Sequence, residues 1–216
     1  MTEQLKTGLE STANRENETV NWEELAQLYA RVFAGPPWLE VVKGSGCQQF
    51  YSSEFKIGQE CDCGCGVLGE AYPRQETIAY IQEDLTEPNS RLIVKERSGL
   101  IASFAWGFEV TGTRFAEAKY NTPTGQDWAK EIVGSEQIYY YVAEVGVDPV
   151  SQGQGIGKQM TGKLVEIGQE LGLPILLRTN INSTMFWIAQ SLSMQAVTNE
   201  QIVDLENSDR VIFVKF

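Results

Sequence analysis

Three groups of residues in this 216-residue chain have types and spacings suited to chemistry. The first is a glycine-rich turn, Gln152-Gly153-Gln154-Gly155-Ile156-Gly157-Lys158. It stands between a run of ten mostly apolar residues, Ile138 to Val147, and a stretch in which Ile156, Met160, Leu164, Ile167 and Leu171 fall on one helical stripe. Strand, glycine turn and helix make an anion site: glycines let the backbone approach a ligand, and the free N–H groups at the helix start point at it. The dinucleotide fingerprint G-x-G-x-x-G and the P-loop G-x-x-x-x-G-K-[ST] both fail to fit, the first in glycine spacing and the second by one residue and a Gln159 in place of Ser or Thr. The second group is Glu144, the only carboxylate inside the apolar run, with Tyr139, Tyr140 and Tyr141 close before it. A carboxylate held in a strand has its pKa raised by burial, which suits a general base. The same residue also fits a structural role, paired with a cation such as Arg178. The third group is Cys47, Cys61, Cys63 and Cys65, the only cysteines in the chain. Four thiolates satisfy a closed zinc site, although C-x-C-x-C is not the usual knuckle spacing, and untethered reduced thiols are the alternative.

Composition narrows the field. There is no histidine, which removes Ser-His-Asp and Cys-His nucleophilic schemes and every His-liganded metal site. The formal charge is −12 with no basic block, which argues against nucleic acid or an anionic membrane as partner and is compatible with a cationic acceptor, or equally with a charge that only keeps the chain in solution. With 42% apolar and 21% charged residues the chain is of globular type. No signal peptide or long apolar run is seen, so a cytoplasmic location is expected, a setting that disfavours disulfides.

The elements that must position these groups follow from the pattern. Residues 1–20 are polar and form a tail or a weak first strand, and 21–216 make one α/β domain. Asn21 with Glu24 forms a capping box ahead of Leu25, Leu28, Tyr29, Val32 and Phe33, and Gly35-Pro36-Pro37 stops that helix. The cysteines lie in an insertion at about 38–72. A second helix runs from Pro73 to Leu85, and Arg91–Glu96 and Leu100–Val110 pair as a hairpin around Ser98-Gly99. Residues 111–137 are expected to be a loop with some helix around Asp127 to Ile132. After the central strand, turn and helix come a strand from Leu173 to Thr179, a helix capped by Asn182, and a closing strand pair, Met194–Asp204 with Arg210–Phe216.

This order, with Gln-x-x-Gly-x-Gly behind a strand ending Val-Gly-Val-Asp-Pro, resembles the GCN5-related N-acetyltransferase (GNAT) superfamily. The stretch from Asn182 through Met185, Ile188 and Ala189 to Leu192-Ser193-Met194 is similar to the family's Asn-to-Leu-Gly-Phe helix end. The resemblance implies a mixed, mostly antiparallel central sheet flanked by helices, and transfer of an acetyl group from acetyl-CoA to a primary amine by direct attack on the thioester. It implies that Val145, Gly146 and Val147 run beside the pantetheine arm where the strand splays from its neighbour around a bulge. The N–H of Val145 then serves the oxyanion, and Gln152 to Lys158, with Asn182, hold the rest of the cofactor. Two departures stand out: Ser193-Met194 replaces Gly-Phe, and Ala189 occupies the place where many members carry the tyrosine that protonates the leaving thiolate. Glu144 as base and Tyr141 as acid are the expected catalytic pair. The acceptor is expected to be a small amine or a protein N-terminus, with the oligomeric state open between monomer and homodimer. The rival readings are a non-catalytic acyl-CoA sensor, favoured by Ala189, and a zinc-stabilised interaction module.

Overall fold

The computed structural model describes residues 20–198 and 203–216. The reading of 1–20 as tail or strand therefore lies almost wholly outside the described residues. The chain runs α1 (Trp22–Phe33), β1 (Val42–Gly44), β2 (Phe50–Tyr51), β3 (Leu68–Glu70), α2 (Arg74–Asp84), β4 (Arg91–Arg97), β5 (Leu100–Thr111), α3 (Gly112–Lys119), α4 (Pro123–Val133), β6 (Ile138–Val147), α5 (Ile156–Glu170), β7 (Ile175–Asn180), α6 (Thr184–Ser191), β8 (Gln195–Ala196) and β9 (Arg210–Lys215).

Among the described residues six strands form one sheet in the order β4-β5-β6-β7-β9-β8, antiparallel except for β6 with β7. The expected mixed, mostly antiparallel sheet is what forms. Helices cover both faces. On one side Leu25 and Leu28 of α1, Ile81 of α2, Phe115 of α3 and Val133 of α4 pack with Tyr139 and Tyr141. On the other, Met160 and Leu164 of α5 and Ala189 of α6 pack with Tyr140 and Val142. The central strand is thus apolar on both faces because both are covered.

Local chemistry accounts for the element ends. Asn21 caps α1 as expected, accepting from the Glu24 N–H at 3.2 Å; the reciprocal half differs from a capping box, because the Glu24 carboxylate accepts from the Asn21 side-chain amide at 3.3 Å rather than from its backbone N–H, and also takes the Ile101 N–H of β5. Ser98 and Gly99 turn the β4–β5 hairpin with φ of 55° and 79°, the positive pair that a tight hairpin turn needs.

Three expectations are corrected. Residues 111–137 are not mostly loop: the helix expected around Asp127 to Ile132 forms as part of the longer α4, and α3, which was not expected, precedes it. Thr111 and Thr122 accept from the N–H of Arg114 and Gly125, and Pro123 takes the first helical turn, so the loop-forming residue types act here as caps. The last helix is capped at Ser183, not Asn182, because the Asn180 side chain accepts from the Asn182 N–H at 2.8 Å and delays the helix by one residue. Of the expected strand 194–204 only Gln195 and Ala196 pair with β9, and 199–202 lie outside the described residues.

Candidate active site

The sheet is interrupted where the chemistry was expected. On its β5 side, Gly107 faces Val142 while Trp106 faces Glu144, so Ala143 is an extra residue in β6, a β-bulge. The bulge changes which face each side chain uses. Tyr141 and Ala143 lie on the α1 side, and Glu144 stays on that side, where it accepts from the Tyr80 hydroxyl at 3.3 Å. Val145 then returns to the α5 side. Unbroken alternation would have sent Glu144 toward α5.

On its other edge, β6 pairs with β7 only at Tyr140–Ile175 and Tyr141–Leu176. Beyond that β7 stays with β9 while β6 departs, and the two strands splay. A cavity of about 220 Å³ fills the opening. Val142 to Val145 line it from β6, and Leu177 to Thr179 from β7. Tyr29, Trp38, Glu40 and Tyr72 form the opposite wall, and Lys119, Met185 and Arg210 complete it.

Burial pushes the Glu144 carboxyl up from its ordinary 4.5 to about 7; the Lys119 ammonium pulls against that, and the neighbouring Asp84 and Glu40 carboxylates add to it. Lys119 lies 5.4 Å above the Tyr141 ring. Burial alone would lower its pKa, but the surrounding Tyr141, Glu144 and Asp84 hold it above the ordinary value. Asp84 accepts from the Trp106 indole N–H at 2.9 Å and is itself raised by burial. The pairing of Glu144 with Arg178 does not form. Both Nε and Nη2 of Arg178 donate to Asp204, at 3.0 and 2.8 Å, and its guanidinium stacks 4.6 Å over the Tyr120 ring. Of the three tyrosines, Tyr139 donates to the Val133 carbonyl and Tyr140 to that of Gly107, and only Tyr141 lines the cavity. Burial raises the Tyr141 pKa.

The glycine turn lies beside the far end of β6. A Cβ on Gly157 would stand 3.7 Å from Val147 and 3.4 Å from Ile188, so the α5 start, the β6 end and α6 meet there. Gly155 precedes α5 with φ of 76°, a left-handed conformation that L side chains adopt at a cost. The first N–H groups of α5, from Ile156 onward, have no partner within the helix and are available to an anion. Gln152 uses its amide to hold the loop, donating to the Val147 carbonyl at 3.1 Å. Arg97 reaches Ser151 at 3.5 Å and Lys95 contacts Gln159, so β4 brings two cations beside the turn together with Lys158. Gly146 has a tighter reason than cofactor approach: a Cβ there would stand 2.2 Å from the Phe104 ring. Asn182 is exposed just before α6. Ala189 is fully buried among the α5-side core residues and does not line the cavity.

The four cysteines are not part of this cavity. They form a separate cluster on a small three-stranded sheet of order β2-β1-β3. Sequence reasoning did not find Glu40, Tyr72, Tyr80, Asp84, Lys119 or Arg210. No local pattern marks them, and they converge only through the packing of α2, α3, β9 and the segments flanking the small sheet around β6.

Residues 59–187, more than half of the chain, match the family model described as the acetyltransferase (GNAT) family. No curated protein matches. Among solved structures, PH1933 of Pyrococcus horikoshii OT3 is 13% identical over 93% of this chain and 93% of its own, with a TM-score of 0.54. The PaiA N-acetyltransferase of Thermoplasma acidophilum, solved with coenzyme A, is 10% identical over 90% of this chain and 91% of its own, with a TM-score of 0.51. Such identities speak to the fold alone. The chain belongs to the acetyltransferase (GNAT) family and is an acetyl-CoA-dependent acyltransferase.

Proposed function

We propose that the protein acetylates a primary amine, presented by a small molecule or a protein N-terminus, with Glu144 accepting the amine's proton. One observation carries this: the bulge at Ala143 turns a carboxylate with a pKa of about 7 into the cavity where β6 and β7 part.

An alkylamine of pKa about 10.4 is less than about 0.1% neutral at pH 7, so attack on a thioester needs a proton acceptor. An acid of pKa about 7 holds its base form near neutrality and still takes a proton readily. In this reading acetyl-CoA lies along the open edge of β6 at Val145, Gly146 and Val147. Its pyrophosphate rests on the backbone from Gln152 to Lys158, where the helix end supplies the equivalent of about half a positive charge. Lys95 and Arg97 add local charge that offsets the repulsion expected between CoA and a chain of net charge −12.

The acceptor enters between the aromatic wall and β6. Glu144 takes a proton from its ammonium, directly or through water, and the amine attacks the carbonyl carbon. The Val145 N–H meets the oxyanion, a role worth about 3 kcal/mol when preorganised. The C–S bond then breaks. Tyr141, kept protonated by burial, gives its hydroxyl proton to the departing sulfur and is reprotonated by the second proton of the attacking nitrogen, so that amide and thiol result, and the proton on Glu144 is released to solvent. The position of Ala189, buried away from the cavity, supports assigning the donor to another residue.

The test is free-thiol release from acetyl-CoA with a panel of amines and N-terminal peptides. Turnover with at least one acceptor, lost in Glu144→Gln while acetyl-CoA still binds, is the expected result. Tight acetyl-CoA binding without turnover across the panel would favour the sensor reading.

A further inference from the structure

The cysteine cluster lies outside everything the transfer reaction uses. All four Sγ atoms are within 4.8 Å of one another, with 3.4 Å from Cys47 to Cys61, 3.2 Å from Cys61 to Cys63 and 2.7 Å from Cys63 to Cys65. A tetrahedral zinc ion with Zn–S bonds of about 2.3 Å sets its sulfurs about 3.8 Å apart, so small shifts bring these thiols to that spacing. Two turns supply them. Cys47 follows β1, where Gln48 N–H closes on the Gly44 carbonyl. Cys61, Cys63 and Cys65 sit in a turn held by Cys61 N–H to Gly66 O and Gly64 N–H to Cys61 O.

Two further observations point to a built site. A Cβ on Gly44 would lie 2.6 Å from the Cys47 sulfur and 3.1 Å from that of Cys61, and one on Gly46 would lie 2.2 Å from the Cys65 carbonyl. The turns come this close only because both positions are glycine. The Tyr51 hydroxyl stands 3.0 Å from the Cys61 sulfur, where an outer-shell hydrogen bond to a thiolate belongs. Among the described residues the small sheet has a buried core of Val42, Tyr51, Cys61 and Leu68, with Val41 and Phe55 packed against it, a small apolar cluster that a cross-link would reinforce.

We infer that Cys47, Cys61, Cys63 and Cys65 hold one zinc ion as four thiolates, and that this ion clamps the wall of the acceptor cavity. Binding releases the thiol protons and needs no oxidant. The second half rests on the acceptor reading above. Trp38 and Glu40 stand just before β1, and Tyr72 stands just after β3. The Tyr72 hydroxyl donates to Glu40, and the Tyr72 ring stacks on Phe50 of β2, centroids 5.5 Å apart and 27° between planes. The segment that carries the cysteines therefore begins and ends on residues that line the cavity.

The full chain, purified without chelator, is expected to carry about one zinc ion, and Cys47→Ser is expected to lose it. A metal-free native protein whose four thiols all react, disulfides found by mass spectrometry, or full zinc retention in both Cys47→Ser and Cys61→Ser would overturn the site. Should the variants not fold, cobalt(II) exchanged into the wild-type chain must show the absorption bands of a tetrahedral thiolate complex, and their absence overturns it too. For the clamp, zinc-depleted protein is expected to keep its Kd for acetyl-CoA and to raise KM for the amine about tenfold. An unchanged KM, or loss of acetyl-CoA binding along with zinc, would overturn the clamp. A zinc-loaded protein with no amine turnover would instead refute the acceptor reading, with the elemental ratio still deciding the metal.

Discussion

Replacing Glu144 with glutamine should make the protein slower and, above neutral pH, more stable. The gap between an ordinary carboxyl at 4.5 and Glu144 at about 7, at about 1.4 kcal/mol per pH unit, comes to about 3 kcal/mol. The sign follows from proton counting. Between those two values the folded chain keeps a proton on Glu144 that the unfolded chain has released. Unfolding there releases the proton, so stability falls as pH rises from 4.5 toward 7. The penalty is absent below 4.5 and complete above 7. Glutamine does not titrate, and Lys119 keeps Asp84 as a neighbouring charge. Urea unfolding of both proteins from pH 4.5 to 8.5 should show the variant gaining on the wild type by about 3 kcal/mol across that range. Turnover should fall by about 10²–10⁴-fold with acetyl-CoA affinity intact, and the acid limb near pH 7 should vanish. A stability difference flat in pH would refute the buried, proton-holding carboxylate. Ordinary turnover with the same acid limb would refute the base.

Lys119→Met should move the acid limb of the wild-type profile to higher pH, since the lysine charge, with a smaller contribution from Arg210, holds the Glu144 pKa down against burial; a limb left in place would show the two do not interact. Acetyl-CoA at 100 times its Kd should stabilise the fold by about 2.7 kcal/mol in thermal melts. Gly155→Val should remove most of that gain and weaken the free protein by about 1–2 kcal/mol, because φ there is 76°. Arg178→Leu should cost about 3–5 kcal/mol in denaturant melts, since it leaves the fully buried Asp204 carboxylate without its cation.

The sequence alone sufficed for features that are local and periodic. The N-cap at Asn21, the hairpin at Ser98-Gly99, the two-sided central strand and the glycine turn before α5 each depend on a few neighbouring residues, and each formed as read. Reading failed where one residue type has two uses. Thr111, Thr122 and Pro123 marked a loop by composition but act as helix starts, and this hid α3, and with it Lys119. The identity of Glu144 was legible, but its direction was not. A single extra residue at Ala143, visible only against the pairing of β5, reverses the alternation and turns the carboxylate toward Tyr80 rather than α5. Its environment is equally non-local: Asp84, Lys119 and Glu40 come from three separate stretches of chain. A pKa near 7 is a property of that assembly, because desolvation and the charges around a carboxyl are set by packing, and no sequence neighbour of Glu144 carries them.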